Sequence, residues 1–256
     1  RRADYNNAYA TLDTNYTESV WWVFNELYTQ GLVYEDYRVT PYCPRCGTPL
    51  SNFEVNQGYK DVNDQSIYVI FPLIDEPDTS LLVWTTTPWT LPSNVAVAVG
   101  EAVTYVKVKK ETHAYWVAKD RLEVIGGEYT IIEEIKGSLL VGKKYKPLYR
   151  QPGAETAYRV VAADFVSTAE GTGLVHMAPA FGEDDMRVGK EENLPVLVTV
   201  DLEGNVKSGL GIPGEGLFVK KADDLIVHDL ESRSLLFKRE RIVHSYPFCW
   251  RCDSPL

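Results

Sequence analysis

Two Cys-x-x-Cys pairs, separated by about 200 residues, constrain the fold of this chain more than any other feature. The pairs are Cys43 with Cys46 and Cys249 with Cys252, they contain every cysteine of the chain, and a Pro-Leu dipeptide follows each of them. Two such knuckles supply the four thiolates of a tetrahedral zinc site that has no open position for catalysis. We therefore predict a structural zinc site; the alternative is four thiols that never meet.

The long interval between the two pairs predicts an inserted domain. A folded domain whose ends lie close together can be inserted into a zinc ribbon without separating its halves. We expect a helical segment over 1–42, the first knuckle and a linker over 43–63, the inserted domain over 64–236 and the second knuckle over 237–256.

The inserted region is predicted to be a β-barrel. Short runs rich in Val, Ile, Tyr and Thr alternate there with Gly, Pro, Asp and Asn. Such closely spaced strands favour a barrel or sandwich over repeated βαβ units. We expect a mostly β fold with peripheral helices (α+β), built on a closed or partly open barrel. The expected strands are 66–71, 81–86, 95–99, 104–109, 115–118, 129–133, 158–162, 173–177 and 196–200.

Helices are expected at three places. Val20, Val23 and Leu27 follow the spacing of one apolar helix face within the first 35 residues, and Gly31 is placed to end that helix. A second helix is expected to begin at Gly182, and a third over 220–232.

Charge and hydropathy exclude some classes of function. The net charge of −10 argues against a surface broadly adapted to a polyanion, so any nucleic-acid contact is confined to local basic patches, each of which is otherwise a solvated face. The longest apolar runs fall far short of the ~20 residues that span a membrane. Cysteines arranged as metal ligands favour a reducing compartment. We predict a cytoplasmic protein with no membrane contact, monomeric in isolation. The basic patches are 143–146, 220–221 and 238–241.

Two segments imitate nucleotide-binding motifs. Residues 137–144 nearly match a P-loop, but Lys144 replaces the Ser or Thr that holds Mg²⁺. Residues 209–214 match G-x-G-x-x-G by count, but they contain Pro213 and precede no obvious helix. We predict turns in both places and no use of ATP.

A threonine-rich segment is the first candidate for chemistry. An apolar strand runs into Thr85, Thr86, Thr87 and Thr90, with Asn94 shortly after. Hydroxyls and amides gathered at a strand end can orient a water and an ester carbonyl without any charge of their own. The alternative is a threonine-rich edge strand, because Thr has good β propensity.

The second candidate segment carries His176 on a short strand and then Asp184 and Asp185 at a helix start. A helix N-terminus favours the ionised form of a carboxylate, and an ionised carboxylate at the edge of a pocket suits an α-ammonium group. The alternatives without a function are that His176 is packed in the core, and that Asp184 and Asp185 only interact with the helix dipole. With the cysteines committed to the knuckles, a hydrolytic reaction here would use a bound water.

Together, residues 84–94 and 171–185 resemble the editing insertion of class I isoleucyl-tRNA synthetases. Residues 18–22, 41–54 and 244–252 also match that family. The related valyl and leucyl enzymes carry Arg at the position of Thr87, so Thr87 and Trp89 point to the isoleucyl branch.

The resemblance implies hydrolysis of the ester in tRNA(Ile) mischarged with valine, which the synthetic site rejects poorly. One missing methylene changes binding by only ~1–3 kcal/mol, a limit for which these enzymes are themselves the reference case. By motif position, Asp185 would bind the α-ammonium, with Asp184 as its adjacent rival, and His176 would narrow the pocket against isoleucine. The remaining implied residues are Thr85, Thr86, Thr87 and Thr90 for water and ester, Trp84 and Trp89 for the pocket, and Asn94 for loop support.

The resemblance also implies partners and limits. The partners are the 3′ end of tRNA(Ile) charged with valine and the remainder of the synthetase, with structural zinc in the knuckles and no metal in the editing site. The H-I-G-H and K-M-S-K-S signatures of the synthetic site are absent from this sequence, so we expect no activation of isoleucine. Two alternatives remain: a non-catalytic zinc-ribbon and barrel module that docks tRNA, and an editing domain of a valyl or leucyl relative.

Overall fold

The computed structural model describes residues 8–256, which form two compact units divided between Arg38 and Val39. In the first unit, helix α1 (Thr14–Thr29) confirms the helix expected there. Gly31 follows it with φ of 72°, and the Leu32 amide donates to a carbonyl of the last turn over 3.0 Å. This left-handed glycine ends the helix, as predicted.

The second unit, Val39–Leu256, is mostly β. Its elements in chain order are β1 (Tyr42–Cys43), β2 (Thr48–Pro49), α2 (Asn52–Asn56), β3 (Tyr59–Pro72), β4 (Thr79–Thr85), β5 (Ala96–Val99), β6 (Thr104–Lys110), β7 (His113–Ala118), β8 (Thr130–Lys136), β9 (Arg159–Ala162), β10 (Leu174–Met177), α3 (Glu183–Glu191), α4 (Val219–Ser232) and β11 (Leu236–Pro247). Short 3-10 helices cover Pro88–Ser93, Lys119–Val124 and Gly137–Leu139.

One large curled sheet organises this unit. Its strand order is β8-β6-β7-β4-β10-β5-β9, with β3 beside β4 and β11 beside β3. The irregular segment 142–146 bridges from β9 back to the end of β3: the Tyr145 amide donates to the Tyr158 carbonyl (3.1 Å), and the Ile74 amide donates to the Lys144 carbonyl (3.0 Å). The expected mostly β fold with a curled, partly open barrel and few helices is confirmed.

Eight of the expected strands are present, and the ninth prediction is wrong. Residues 196–200 have the alternation of a strand, but they make only an isolated bridge between Val200 and Val206. Leu197 and Thr199 are buried, and the hydroxyls of Thr199 and Ser93 share a hydrogen bond of 2.6 Å. Burial of alternate residues therefore arises there without a neighbouring strand.

Strand β11 escaped the sequence analysis because the charged run 238–241 follows its first two residues. It pairs antiparallel with β3 from Pro247 opposite Tyr59 to Leu236 opposite Val69. The expected boundaries at 63/64 and 236/237 therefore fall within β3 and at the start of β11, and the two strands run without a break from the knuckles into the sheet.

The main core lies between the concave face of the sheet and α4. Alternate residues of β3, including Ile67, Val69 and Phe71, are fully buried there, as are Ile226 and Leu230 of α4. Burial of apolar area of this kind, at about 25 cal/mol per Å², is the main force that holds α4 against the sheet. Helix α4 is consequently a fixed support for whatever it touches.

Both imitation nucleotide motifs are turns, as predicted. Residues 137–139 form a 3-10 turn, and the Glu215 carboxylate accepts the amides of Gly209, Leu210 and Gly211 at 2.6–2.9 Å. The amides that a phosphate would need are thus already bonded to the chain's own carboxylate. None of the helices in residues 8–256 combines the length and the apolar character needed to cross a membrane.

Candidate hydrolytic site and metal centre

The two chemical segments meet because β4 and β10 are adjacent and parallel. Val175 of β10 lies opposite Trp84 of β4. Parallel neighbours end at the same edge of a sheet, so the chain that leaves each of them emerges at the same place. The threonine loop (residues 85–94) follows β4, and the segment leading to α3 follows β10. The predicted pairing of the two segments therefore has a topological cause.

Hydroxyls of the threonine loop form a continuous chain that ends on His176. Thr85 Oγ1 lies 3.3 Å from Thr87 Oγ1, which lies 3.2 Å from Thr90 Oγ1. Thr90 Oγ1 in turn lies 2.9 Å from Nε2 of His176. Thr85, Thr90 and His176 are buried, and Thr87 is half-buried. Three of the residues expected to take part in catalysis, Thr85, Thr87 and His176, are therefore linked through Thr90.

Thr90 Oγ1 has a single proton and two close partners. Its hydroxyl is positioned to donate to the Thr87 carbonyl over 2.8 Å, and Nε2 of His176 lies 2.9 Å away. When the Thr90 proton goes to the carbonyl, Nε2 is the protonated ring nitrogen and Nδ1 carries the free lone pair. Nδ1 is buried and has no partner within the described residues. Burial also lowers the pKa of His176 to about 4, so the imidazole is neutral at pH 7.

The threonine loop is held at its middle and at its end by partners from elsewhere in the fold. In the middle, the Trp89 amide donates to Oδ1 of Asp223 in α4 over 2.8 Å. At its end, the buried Asn94 side chain donates to the Ala96 carbonyl (2.9 Å) and accepts from the Tyr145 hydroxyl (2.7 Å). Asn94 thereby fixes the passage from the loop into β5.

Asp185 is the carboxylate that turns inward from the first turn of α3. Its Oδ2 accepts the Ala178 amide over 2.9 Å, two residues beyond His176. A Cβ on Gly182 would lie 2.8 Å from the Asp185 carboxyl carbon, so glycine is needed for this approach. Burial raises the pKa of Asp185 above its usual value and outweighs the hydrogen bond from the Ala178 amide, which lowers it.

The neighbouring carboxylate has a different environment. Asp184 is exposed and pairs with Arg187 at 3.7 Å. Among residues 8–256, no lysine or arginine pairs with Asp185, and the charged neighbour that acts on its pKa is Asp184. Asp185 is therefore the member of the pair that could receive a cation from a ligand.

The two tryptophans expected in the pocket have different positions. The Trp89 ring makes an edge-to-face contact with Phe181, centroids 4.9 Å apart, which joins the threonine loop to the segment before α3. Trp84 lies on the opposite face of β4 from Thr85, since successive residues of a strand alternate. It packs on Gly171, where an added Cβ would lie 2.7 Å from the ring. Trp84 is thus separated from the hydroxyl chain by the sheet.

Thr86 has a position of its own. It is half-buried, and its hydroxyl makes no hydrogen bond to another group in the described part of the chain. Its hydroxyl is therefore available to a ligand, unlike those of Thr85, Thr87 and Thr90.

Asp223 is the site residue that the sequence analysis missed. Burial raises its pKa to about 7. A signal was present in the sequence: Asp223 lies three residues before Ile226 and seven before Leu230, on the apolar stripe of α4. A carboxylate at such a position needs a specific partner, and here that partner is the Trp89 amide.

The metal centre contains all four cysteines. Their sulfur atoms lie within 4.8 Å of one another, with Cys43 to Cys252 at 3.5 Å and Cys46 to Cys249 at 4.0 Å. Zinc–thiolate bonds of ~2.3 Å in a tetrahedron place sulfurs about 3.8 Å apart. The arrangement fits one tetrahedral ion, and the alternative of four thiols that never meet is wrong.

Comparisons with known proteins point to one family. The family described as tRNA synthetases class I (I, L, M and V) matches residues 1–179. An isoleucine--tRNA ligase of Clostridium novyi is 47% identical over 255 residues, covering 99% of this chain and 24% of the relative. The isoleucine--tRNA ligase of Thermus thermophilus is 48% identical over 260 residues, covering 99% and 24%. The chain thus spans about a quarter of the length of these relatives.

Among solved structures, the chain resembles a leucyl-tRNA synthetase connective peptide, GlLeuRS-CP1. The TM-score is 0.55 with 16% sequence identity, and the match covers 68% of this chain and 99% of that one. At this identity the likeness concerns the fold alone.

Proposed function

The chain belongs to the class I tRNA synthetases (I, L, M and V), and from that premise we propose that it performs an editing reaction, hydrolysis of the ester of valine on tRNA(Ile). The observation that carries the proposal has two parts: a neutral chain of hydroxyls that ends on His176, and a half-buried carboxylate, Asp185, that is anchored on the Ala178 amide two residues further along and lacks a cation within the described residues. Similarity to isoleucine--tRNA ligases along 99% of the chain supports the isoleucyl assignment.

Asp185 would bind the α-ammonium of the misattached valine. Desolvation raises the pKa of this carboxyl, so its charged form is destabilised while no cation is bound. An arriving ammonium group would remove that penalty by pairing with the carboxylate, and the Ala178 amide already orients the side chain that would receive it. Binding of an aminoacyl group and ionisation of Asp185 would therefore reinforce each other.

Water is the nucleophile in this proposal. We assign the proton of Thr90 to the Thr87 carbonyl and a proton to Nε2 of His176, and with this assignment His176 would not take a proton from Thr90. Thr90 is thereby not activated for attack. Attack of water on the ester carbonyl would break the bond to the tRNA ribose and release free valine and the tRNA 3′ hydroxyl. The gain in rate would come from positioning water and ester.

His176 would restrict the pocket to valine. Its ring is held by Thr90 and by burial on β10, so it cannot move aside cheaply to admit a larger side chain. One methylene in an apolar pocket changes binding by ~1–3 kcal/mol. A second pocket that excludes isoleucine would therefore correct the valine errors that the synthetic site lets through. A neutral imidazole suits this role better than a charged one, because the ring would exclude isoleucine by its shape while contacting an apolar side chain.

The metal centre has a separate role in this proposal. The four cysteines would hold zinc as a structural ion at the base of the inserted domain, and no metal would enter the hydrolytic site. The partners would be the 3′ end of tRNA(Ile) and the rest of a synthetase, in the cytoplasm. Phosphate contacts would fall on local basic patches, because the net charge is −10.

Deacylation of Val-tRNA(Ile) by the purified chain tests the proposal. Asp185→Asn keeps the shape of the side chain and removes its charge, so we expect a loss of about 100-fold or more. Asp184→Asn is the matched control, since Asp184 is exposed and paired with Arg187, and it should retain activity.

Two outcomes would contradict the proposal. Full activity of Asp185→Asn would exclude the ammonium-binding role. Zinc and tRNA binding by the unmodified chain without any ester hydrolysis would favour the docking module instead.

A further inference from the structure

A carboxylate outside both chemical segments contacts the threonine loop. Asp223 projects from α4, and its Oδ1 accepts the Trp89 amide over 2.8 Å. Trp89 belongs to the first turn of the 3-10 helix Pro88–Ser93, which carries the loop. The contact joins two elements that are 134 residues apart in the chain.

The bond replaces a helix cap that the loop does not make for itself. A Thr immediately before a helix normally uses its hydroxyl to accept an amide of the first turn. Thr87 holds that position, yet within the described structure its side chain makes no capping bond. Pro88 has no amide hydrogen, so Trp89 is the first donor in need of a partner. Asp223 satisfies it.

The Thr87 hydroxyl is consequently available for other bonds. It lies between Thr85 at 3.3 Å and Thr90 at 3.2 Å, and so it is the middle link of the chain that reaches His176. In its present position the Thr87 hydroxyl makes no bond to the Trp89 amide. To cap the 3-10 helix, the side chain would have to rotate toward that amide, and its oxygen would leave the position from which it reaches both Thr85 and Thr90.

We propose that Asp223 is a positioning residue for the hydrolytic site: by capping Trp89 it releases the Thr87 hydroxyl to connect Thr85 with Thr90. This inference rests on the proposed hydrolytic function. Asp223 touches neither water nor ester and acts through the loop.

The placement of Asp223 supports a role beyond packing. It occupies the apolar stripe of α4 next to Ala222 and Ile226, which are fully buried, so the helix holds it in a fixed position. The nearby cation Lys220 pairs with Asp64 of β3 at 2.9 Å rather than with Asp223. A carboxylate on an apolar helix face without its own cation lowers the stability of the fold. Carboxylates in such unfavourable environments are frequently found at functional sites.

The experiment compares three variants in Val-tRNA(Ile) deacylation. Asp223→Ala removes the acceptor, and we expect kcat to fall by about 10- to 100-fold with KM changed by less than about twofold, since the loop and not the ammonium site is displaced. Asp223→Asn keeps an acceptor oxygen and should restore most of kcat. Asp224→Ala, an exposed neighbour on the same helix, should match the unmodified chain.

Hydrogen exchange of the Trp89 amide tests the cap independently of activity. The amide should be protected in the unmodified chain and in Asp223→Asn, and it should exchange faster in Asp223→Ala. Asp223→Leu serves if the alanine variant unfolds, because leucine fills the apolar stripe and still lacks an acceptor.

The two readouts separate this inference from the proposed function. If the unmodified chain hydrolyses nothing, the exchange experiment still shows whether Asp223 caps Trp89. The inference is overturned by a folded Asp223→Ala or Asp223→Leu variant with full kcat, by an unchanged Trp89 exchange rate, or by equal losses in the asparagine and alanine variants.

Discussion

The candidate metal centre and the proposed hydrolytic site both assemble residues from distant parts of the chain, but they do so in different ways. In the metal centre, each Cys-x-x-Cys pair forms its own knuckle, and the pairing of β3 with β11 brings the two knuckles together. In the hydrolytic site, the hydroxyls come from one loop, the imidazole from β10 and the carboxylates from α3 and α4. Local spacing thus forms each half of the metal centre and one strand pair joins the halves, whereas the hydrolytic site depends on contacts among four separate elements.

This difference affects how each site depends on the rest of the fold. Thiolates bind zinc through short, strong bonds, so the ion itself imposes geometry on the ligands. The hydroxyl chain has no charge and no ion, so its geometry depends on supports such as Asp223 and Asn94. We therefore expect one substitution in the metal centre to abolish metal binding, and single substitutions in the hydrolytic site to lower its activity by different amounts.

Loss of the metal is expected to have the largest effect. Structural zinc contributes about 10 kcal/mol or more to the folding of small zinc-dependent peptides. In Cys249→Ser, bound zinc should fall below detection in metal analysis, and amides of residues 43–50 and 249–252 should lose their protection from hydrogen exchange. Hydrolysis should stay within about twofold of the unmodified chain, because distant sites behave independently.

Arg45→Ala is the matched control for the metal centre. Arg45 is exposed within the first knuckle and supplies no thiolate, so this variant should retain zinc. A simultaneous loss of zinc and of hydrolysis in Cys249→Ser would show that the two sites are not independent, and the contrast between them would be wrong.

The pH dependence of stability is expected to show an intermediate effect, located at Asp223. The pKa of this carboxyl is raised to about 7 in the folded chain, so the native state holds the proton more tightly than the unfolded state does. Its contribution is complete below about pH 4 and is lost as pH rises through about 7. Asparagine does not titrate, so Asp223→Asn does not lose this contribution as the pH rises. The free energy of unfolding of Asp223→Asn, relative to that of the unmodified chain, should therefore increase by about 2 kcal/mol between about pH 5 and pH 8.

Urea unfolding at several pH values measures this difference. Glu231→Gln is the control, since Glu231 is exposed near the opposite end of α4 and the difference between this variant and the unmodified chain should stay constant with pH. An advantage of Asp223→Asn that is equal at pH 5 and pH 8 would show that the carboxylate is not destabilised by burial.

The smallest expected effect concerns selectivity. Replacing His176 by alanine opens space in the pocket, and the preference for the valyl over the isoleucyl ester should fall by about tenfold, the scale of one methylene. Deacylation of Ile-tRNA(Ile) and Val-tRNA(Ile) by the same preparation measures the ratio. His228→Ala on the exposed face of α4 is the control. An unchanged ratio in His176→Ala would make His176 a core residue and not part of the sieve.

The sequence was sufficient for features whose cause is local. The cysteine pairs, the apolar face of α1 and Gly31 depend on spacing within a few residues, and the structure confirms that the knuckles, the helix and its end form as expected. The threonine loop and the segment after His176 were recognisable for the same reason. Their proximity follows from the parallel pairing of β4 with β10, which a single sequence does not display.

Features set by long-range contacts were harder to predict. Lys238 and Arg239 lie near the start of β11, and their charge concealed a strand whose pairing depends on β3. Residues 196–200 have a strand's alternation without a strand's neighbours. At Asp185 the helix N-terminus predicted a stabilised carboxylate, but burial by the surrounding fold reverses the direction of the pKa shift. In each case, the deciding contact lies far away in sequence.

The register of β3 with β11 would allow the region between Tyr59 and Pro247 to be removed as one part. Pro247 lies opposite Tyr59, and antiparallel partners have Cα atoms only about 5 Å apart. A two-residue hairpin turn could close that gap, so everything between these positions could be deleted and the knuckles would remain joined. Conversely, any host with a β-hairpin at a suitable place offers the same two attachment points. Gain or loss of such a domain therefore requires two cuts and no rerouting of the host chain.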